Sequence, residues 1–411
     1  MSESGTAASL EAVHALLSAM SASEVEVSLV VVCESTAPGE AVYVSGSAAA
    51  LGAWAPERAV ALVTTAATWP VWVTAQSVTL PANARIELKC VKHAAGAPLA
   101  TAVWEPLSKN RKLVLSPVLG HALLVDLGRF GAKEAPLVTP LPSDDGVLRA
   151  LRVMTWNVRY DNAADGANRW AARRGAFCDA VLARAPLVAA FQEVLPGQYD
   201  DLRARLADEP GAPYDAYAEP REFRGEACAI FWRRTRFVAL ERDTFWLCAP
   251  AADGAERRHA LGWDAACVRI CSWVRLYDKL LRRTMLVFNA HLDHVGARAQ
   301  LEGLRLVRRR IELTKRNPFE PVVLMGDFNC APTSDAIAEC AAHLLYARDS
   351  PGCVVSGPAG TFHNFGYYEN SLMTLDYVFI DKPCKCLEYK VCHDTHLSDH
   401  DAVVAVVELD L

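Results

Sequence analysis

Hydrophobic positions change their period along the chain, and the changes divide it. In residues 1–22, Leu10, Val13, Leu16, Leu17 and Met20 recur at helical spacing and predict one short helix. From Val25 to about Ser116 the pattern turns to short β-rich runs, VEVSLVVVCE, AVYVSG, WVTAQSVTL, RIELKCV and RKLVLS, broken by Gly, Pro, Ala and Asn turns. That alternation predicts a small β-sandwich over residues 23–120. GRFGAKEAPLVTPLPSDDG, with three prolines and an acidic pair, reads as a linker, and the expected linker spans residues 121–147. Over residues 148–411, strands and helices interleave: RVMTWNV, ACAIFW, TMLVFNAHL, PVVLMGDFN, LDYVFI and AVVAVVEL are predicted strands. Residues 169–185 and 298–314 are predicted helices, the second turning Leu301, Leu304, Val307 and Ile311 inward.

Composition narrows this picture only slightly. A chain of 411 residues exceeds one ordinary core, so two domains are expected, and 52% hydrophobic with 22% charged residues describes a globular protein. The formal charge of −6 gives no global attraction for polyanions, which leaves a nucleic-acid partner dependent on a local basic groove. The basic run Arg305, Arg308, Arg309, Arg310, Lys315 and Arg316 lies on a predicted helix and reads as a solvated face. The opening residues lack a basic region ahead of an apolar core, and no apolar run approaches about 20 residues. A cytoplasmic protein without membrane insertion is therefore expected. Thirteen scattered cysteines fit free thiols; Cys384, Cys386, Cys392 and His393 cluster, but without the two-residue gap typical of structural zinc.

Candidate chemistry gathers at the ends of the predicted strands. Asn157 stands in TWNVR, Glu193 in FQEV, His291 in NAHLDH, Asp327 and Asn329 in GDFN, Asp376 in LDYVF, and Asp399 with His400 in LSDH. A phosphate ester is an anion that repels nucleophiles, so its hydrolysis asks for a hard cation on oxygen ligands. It also asks for a group that orients water and for donors to the phosphoryl oxygens. Glu193 and Asn157 suit the metal, Asp327 the water, Asn329 and His291 the phosphate, and Asp399 with His400 a tuned imidazole beside a further carboxylate.

TWNVR, FQEV, NAHLDH, GDFN, TFH, LDYVFI and SDH follow the order found in the endonuclease/exonuclease/phosphatase superfamily, which residues 150–411 resemble. The resemblance implies an α/β four-layer sandwich, two mixed β-sheets flanked by helices. It implies Mg²⁺ or Mn²⁺ at Asn157, Glu193 and Asp399, and catalytic roles for His291, Asp327, Asn329, Asp376, Asp399 and His400. Asp293, Arg298, Trp263, Asp264, Arg269 and His363 sit in segments similar to one bacterial-type branch, as candidate pocket residues beside structural readings such as helix caps and core aromatics.

The front segment carries YVSG, LGAW, a Trp-bearing strand ending in TLPA, IELKCV and VWEPLSKNR, an order that resembles the family-20 carbohydrate-binding (starch-binding) module. The resemblance implies a separate N-terminal all-β immunoglobulin-like sandwich that binds α-glucan. Trp54, Lys89, Trp104 and Asn110 would form one sugar site, and Tyr43 with Trp69 or Trp72 a second. The combined reading is a metal-dependent phosphoesterase recruited to α-glucan, acting on a phosphorylated small molecule or glycan. Two others stand beside it: a nuclease or deadenylase-like enzyme localised by its glucan module, and a non-enzymatic glycan-binding scaffold.

Overall fold

A computed structural model describes residues 23–94, 97, 101–116, 122–142, 149–207, 209–210, 213–368, 373–382 and 384–409. The helix expected over residues 1–22 lies outside them. The chain divides into two compact units, Met1–Ser143 and Asp144–Leu411.

The front unit is all β. Its strands are β1 (Glu24–Val32), β2 (Glu40–Gly46), β3 (Val60–Val63), β4 (Val71–Thr74), β5 (Val78–Pro81), β6 (Arg85–Ala94), β7 (Val103–Trp104), β8 (Arg111–Val114), β9 (Ala122–Arg129) and β10 (Leu137–Pro140). They run in the order β10-β9-β1-β4-β3-β2-β6-β7, with β5 on β1 and β8 on β6. Alternation in β1 drives Val25, Val27, Leu29 and Val31 into a core with Val42, Val44, Leu88, Cys90 and Leu113.

Two expectations are corrected here. The first is the linker: β9 lies parallel to β1, and β10 pairs with β9. Leu123, Val125 and Leu127 enter the same core. Arg111 explains why this proline-bearing stretch is held. Its guanidinium is paired with Glu105 at 2.7 Å and donates to the carbonyls of Leu127, Arg129, Ala132 and Glu134 at 2.6–3.1 Å. The second is Trp72, which is 6% exposed and belongs to this core. All four residues of β4 are buried, so no face is left on which Trp72 could present a ring to a sugar. Trp69 is 45% exposed, its indole N–H donating to Thr36.

In the second unit the elements are β11 (Ala150–Asn157), α1 (Trp170–Arg184), β12 (Val188–Val194), α2 (Pro196–Ala207), β13 (Tyr214–Tyr217), β14 (Ala227–Arg233), β15 (Phe237–Trp246), β16 (Ile270–Asp278), β17 (Arg283–His291), α3 (Ala297–Thr314), β18 (Val322–Asp327), α4 (Asp335–His343), β19 (Leu345–Tyr346), β20 (Val354–Ser356), β21 (Asp376–Ile380), β22 (Lys385–Cys392) and β23 (Ala402–Glu408). One mixed sheet has the order β13-β14-β12-β11-β23-β22-β20, the other β15-β16-β17-β18-β21-β19.

Period-two alternation sorts the first of these sheets between two cores. Leu151, Val153, Val188, Ala190, Ile230 and Trp232 join one cluster with the six-stranded sheet, α3 and α4. Their neighbours Met154, Trp156, Ala189, Phe191, Ala229 and Phe231 join a second cluster with Phe177, Val181, Leu202 and Leu206 of α1 and α2. Along α3, Leu304, Val307 and Ile311 are buried as expected, while Leu301 is only partly buried. Most of the basic run on and just after this helix is bound up in ion pairs, such as Arg308 with Glu312 and Lys315 with Asp381. Among the described residues no helix is long and apolar enough to cross a membrane, and none of the thirteen cysteines forms a disulfide.

Candidate active site

Strand register brings the polar residues together. β11 and β12 are parallel with Asn157 opposite Gln192, so Asn157 and Glu193 leave the same end of one sheet. In the other sheet His291 pairs with Asp327 across parallel β17 and β18, and Asp327 pairs with Asp376 across β18 and β21. Three functional side chains thus stand in one row on adjacent strands. Gly326 permits this closeness: a Cβ there would lie 1.9 Å from the Ala290 carbonyl oxygen.

Across the two sheets, Asn157 is the tie. Its Nδ2 donates to Glu193 Oε1 at 3.0 Å and Asp327 Oδ2 at 2.9 Å, while its Oδ1 accepts the Arg159 N–H at 2.9 Å. Glu193 also accepts the Tyr160 N–H. Asp327 Oδ2 lies 3.5 Å from His291 Nε2 and 3.7 Å from His400 Nε2. His400 Nδ1 is 2.8 Å from Asp376 Oδ2. Asn329 Nδ2 faces His291 Nε2 at 3.1 Å, and Asp399 Oδ2 is 3.7 Å from Arg159 Nε. All eight residues singled out at strand ends, Asn157, Glu193, His291, Asp327, Asn329, Asp376, Asp399 and His400, therefore meet in one cluster, with Glu193 and Asn329 half-buried and the other six buried.

The two histidines are pushed in opposite directions. Burial lowers His291 well below the ordinary histidine value, and the Arg269 charge adds to it. Burial acts against the charge of His400 too, but the carboxylates of Asp376 and Asp327 outweigh it and raise His400 well above its ordinary value. The two imidazoles thus differ in how readily each takes a proton, the kind of separation that assigns distinct roles to chemically identical groups. A histidine raised in the fold contributes stability that is complete below its unfolded value and is lost as pH rises through the folded one. Wild-type protein in EDTA should therefore lose more stability to denaturant between about pH 6.5 and pH 9.5 than His400→Asn does. Equal losses would show that the carboxylates do not hold this proton.

Among the secondary candidates, two carboxylates are used by backbone. Asp264 accepts the N–H groups of Arg298 and Ala299 and so caps α3 from another loop. Asp293 accepts the N–H groups of Val295, Gly296, Ala266 and Cys267 and pins the turn after His291. Arg269 does reach the site, its Nη1 3.0 Å from both ring nitrogens of His291. Trp263 is half-buried and Arg298 exposed. His363 lies 3.3 Å from Asp401 and not among the strand-end groups.

Several contributors escaped the sequence reading. Arg159 stands in TWNVR two residues after Asn157, and its 3.7 Å approach to Asp399 depends on the fold. Arg173 is buried and donates to the carbonyls of Val158, Arg159, Leu397 and Asn168, clamping the Asn157 and Asp399 loops together. Buried Gln192 donates to Asn289 at 2.7 Å, directly beneath Glu193. Only burial distinguishes such residues from surface arginine and glutamine.

On the front unit, Trp54 and Trp104 are half-buried, with ring centroids 6.3 Å apart and planes tilted by 46°. Lys89 donates to the Leu107 carbonyl and Asn110 to Glu87 beside them. Tyr43 packs edge-on against His93 and shares a cross-strand row with Trp104 through Val91.

Comparison with known proteins agrees with both units. The starch binding domain profile matches residues 24–118, and the profile of the endonuclease/exonuclease/phosphatase family matches residues 154–400. An endonuclease/exonuclease/phosphatase from Bacteroides vulgatus is 30% identical, covering 64% of this chain and 99% of its own, with a TM-score of 0.58. The mannosyl-6-phosphatase Bt3783 of Bacteroides thetaiotaomicron is 27% identical, covering 62% and 99%, with a TM-score of 0.57. The human nocturnin catalytic domain, at 19% identity, 64% and 95% coverage and a TM-score of 0.50, shares the fold. No curated protein matches the chain. With a starch binding domain at its front, the chain belongs to the endonuclease/exonuclease/phosphatase family.

Proposed function

We propose that the second unit is a divalent-metal-dependent phosphoesterase acting on a sugar or glycan phosphate, delivered to α-glucan by the front unit. The two sheets with their helices are read as a four-layer sandwich, and the front unit as immunoglobulin-like. One observation carries the reading. Asp327 sits within 3.7 Å of both His291 and His400, in a cluster whose other members are almost all oxygen donors.

A hard cation fits that donor set. Burial raises the Asp399 carboxyl and the Glu193 charge raises it further, a repulsion that a bound cation would relieve. Glu193 and Asp399, with Asn157 beside them, would hold Mg²⁺ or Mn²⁺, which when bound stabilises negative charge on phosphoryl and leaving oxygens. The chain's own groups do the rest. Asp327 orients a water and accepts its proton. His400, fixed by Asp376, presents a positive N–H to the developing charge, and Asn329 donates to a phosphoryl oxygen. His291 packs between Asn329 and Arg269.

Support for a sugar phosphate comes from the starch binding profile in front and from similarity to a mannosyl-6-phosphatase. The Trp54–Trp104 pair offers flat apolar faces suited to glucose rings. Phosphate release from phosphorylated glucan, hexose phosphates, inositol phosphates and labelled RNA and DNA should be measured with Mg²⁺ and with EDTA. The expected result is release from glucan or hexose phosphates that EDTA abolishes, with glucan pull-down lost in Trp54→Ala. Cleavage confined to oligonucleotides would replace this reading with a nuclease.

A further inference from the structure

Glu193 and His291 form one wall of a recess whose other lining residues include Arg221, Glu226, Cys228 and Arg269. The recess is continuous with the reaction centre, because both shared residues belong to it. Arg221 Nη2 donates to Glu226 Oε1 at 3.0 Å, and both side chains are 15% exposed. The backbone carbonyl of Arg221 accepts the Trp246 indole N–H at 2.8 Å and lies 2.7 Å from His259 Nδ1, which fixes the point from which the side chain reaches.

Two donors here have no hydrogen-bond partner, although Arg221 Nε keeps an ion pair with Glu222 at 3.6 Å. Arg221 Nε and Arg269 Nε are both buried without a hydrogen bond, and Arg269 is only 7% exposed. The nearest carboxylate to Arg269 Nε is Asp293, at 3.9 Å. Leaving a buried charged donor unmade costs more than a neutral one, so such groups mark where a ligand oxygen belongs.

The charge inventory says which oxygen. Two guanidiniums, Arg221 and Arg269, and two carboxylates, Glu193 and Glu226, line the recess together with His291. Arg221 is already paired with Glu226, whose carboxylate would repel a second phosphate. Hydroxyl groups, each one donor and two acceptors, match a wall in which donors and acceptors alternate. We propose that Arg221 and Glu226 form a hydroxyl-reading subsite beside the reaction centre, which makes the substrate the phosphate ester of a polyhydroxyl compound, a sugar.

This inference rests on the phosphoesterase reading above, and its test separates the two. Hydrolysis of a hexose phosphate and of p-nitrophenyl phosphate is compared in wild type, Glu226→Gln and Arg221→Lys. The expected result is a fall of about tenfold or more in the ratio of kcat/KM for the sugar over the aryl ester, carried mainly by KM. An unchanged ratio, whether both substrates fall together or neither does, overturns the subsite and leaves the phosphoesterase standing. Wild type inactive on both substrates sinks both. Deoxyhexose phosphates give a check that does not depend on a variant folding. Removing one hydroxyl should cost wild type about tenfold, and indifference to every hydroxyl would overturn the proposal.

Discussion

Asp327→Asn should lower kcat by about a thousandfold while leaving the fold in place. The carboxylate is 1% exposed and stands where the two sheets meet, within reach of Asn157, His291 and His400. Burial pushes its pKa up to about 7, with His400 pulling the other way and Asp376 adding to the rise. A carboxyl with a folded pKa above its unfolded value weakens the fold once pH exceeds the unfolded value, so an amide removes that cost. Against this, one acceptor for the N–H groups of Asn157 and Asn329 is lost, worth about 1 kcal/mol. The two effects oppose, so Tm should stay within about 4 °C of wild type. Activity assays beside thermal melts decide the matter: a thousandfold loss at constant Tm assigns a chemical role, whereas a melt lowered by about 10 °C would make Asp327 a structural residue.

Glu105→Ala should be the most destabilising single change in the front unit, at about 3–5 kcal/mol. Glu105 and Arg111 have side chains 0% and 2% exposed, and removing the acid strands a guanidinium in the core. That guanidinium also holds the backbone between Leu127 and Glu134, so its displacement frees β9 and β10. Calorimetry of the full chain should show the front-unit transition shifted down, with glucan binding lost first. The paired change Glu105→Leu with Arg111→Met should cost far less, because it removes both charges together. If the single and double variants melt alike, the pair is not what anchors these strands.

What the sequence disclosed follows from what each signal depends on. Strands with strict alternation or strong apolar runs, such as RVMTWNV and PVVLMGDFN, were legible because their burial is written in their own residues. The site residues were legible as a set, since a phosphoester asks for oxygen ligands and imidazole at strand ends and the motifs arrive in a family's order. Residues 121–147 read as a linker because three prolines and an acidic pair dominate, whereas the fate of residues 122–140 is decided by Arg111, a distant guanidinium. Trp72 reads as a surface platform until all of β4 is seen to be buried. Asp264 and Asp293 illustrate the same limit. A short carboxylate near a motif serves substrate or backbone alike, and only the fold shows the N–H groups they already accept. Arg173 is legible as a helix residue, but nothing local announces that four carbonyls consume its donors.

The buried Gln192–Asn289 contact has a consequence for how this enzyme can change. Gln192 Nε2 also reaches Thr155, and Asn289 Nδ2 donates to the carbonyls of Phe191 and Ala229. Greasy surfaces slide past each other with little penalty, whereas directional bonds tolerate a shift of only a few tenths of an ångström. Half of the reacting groups ride on one sheet and half on the other, so these two amides act as a locating pin between halves of a mould. Chimaeras that exchange one half with a relative should keep their chemistry only when the pin and its socket travel together, however well the apolar faces match.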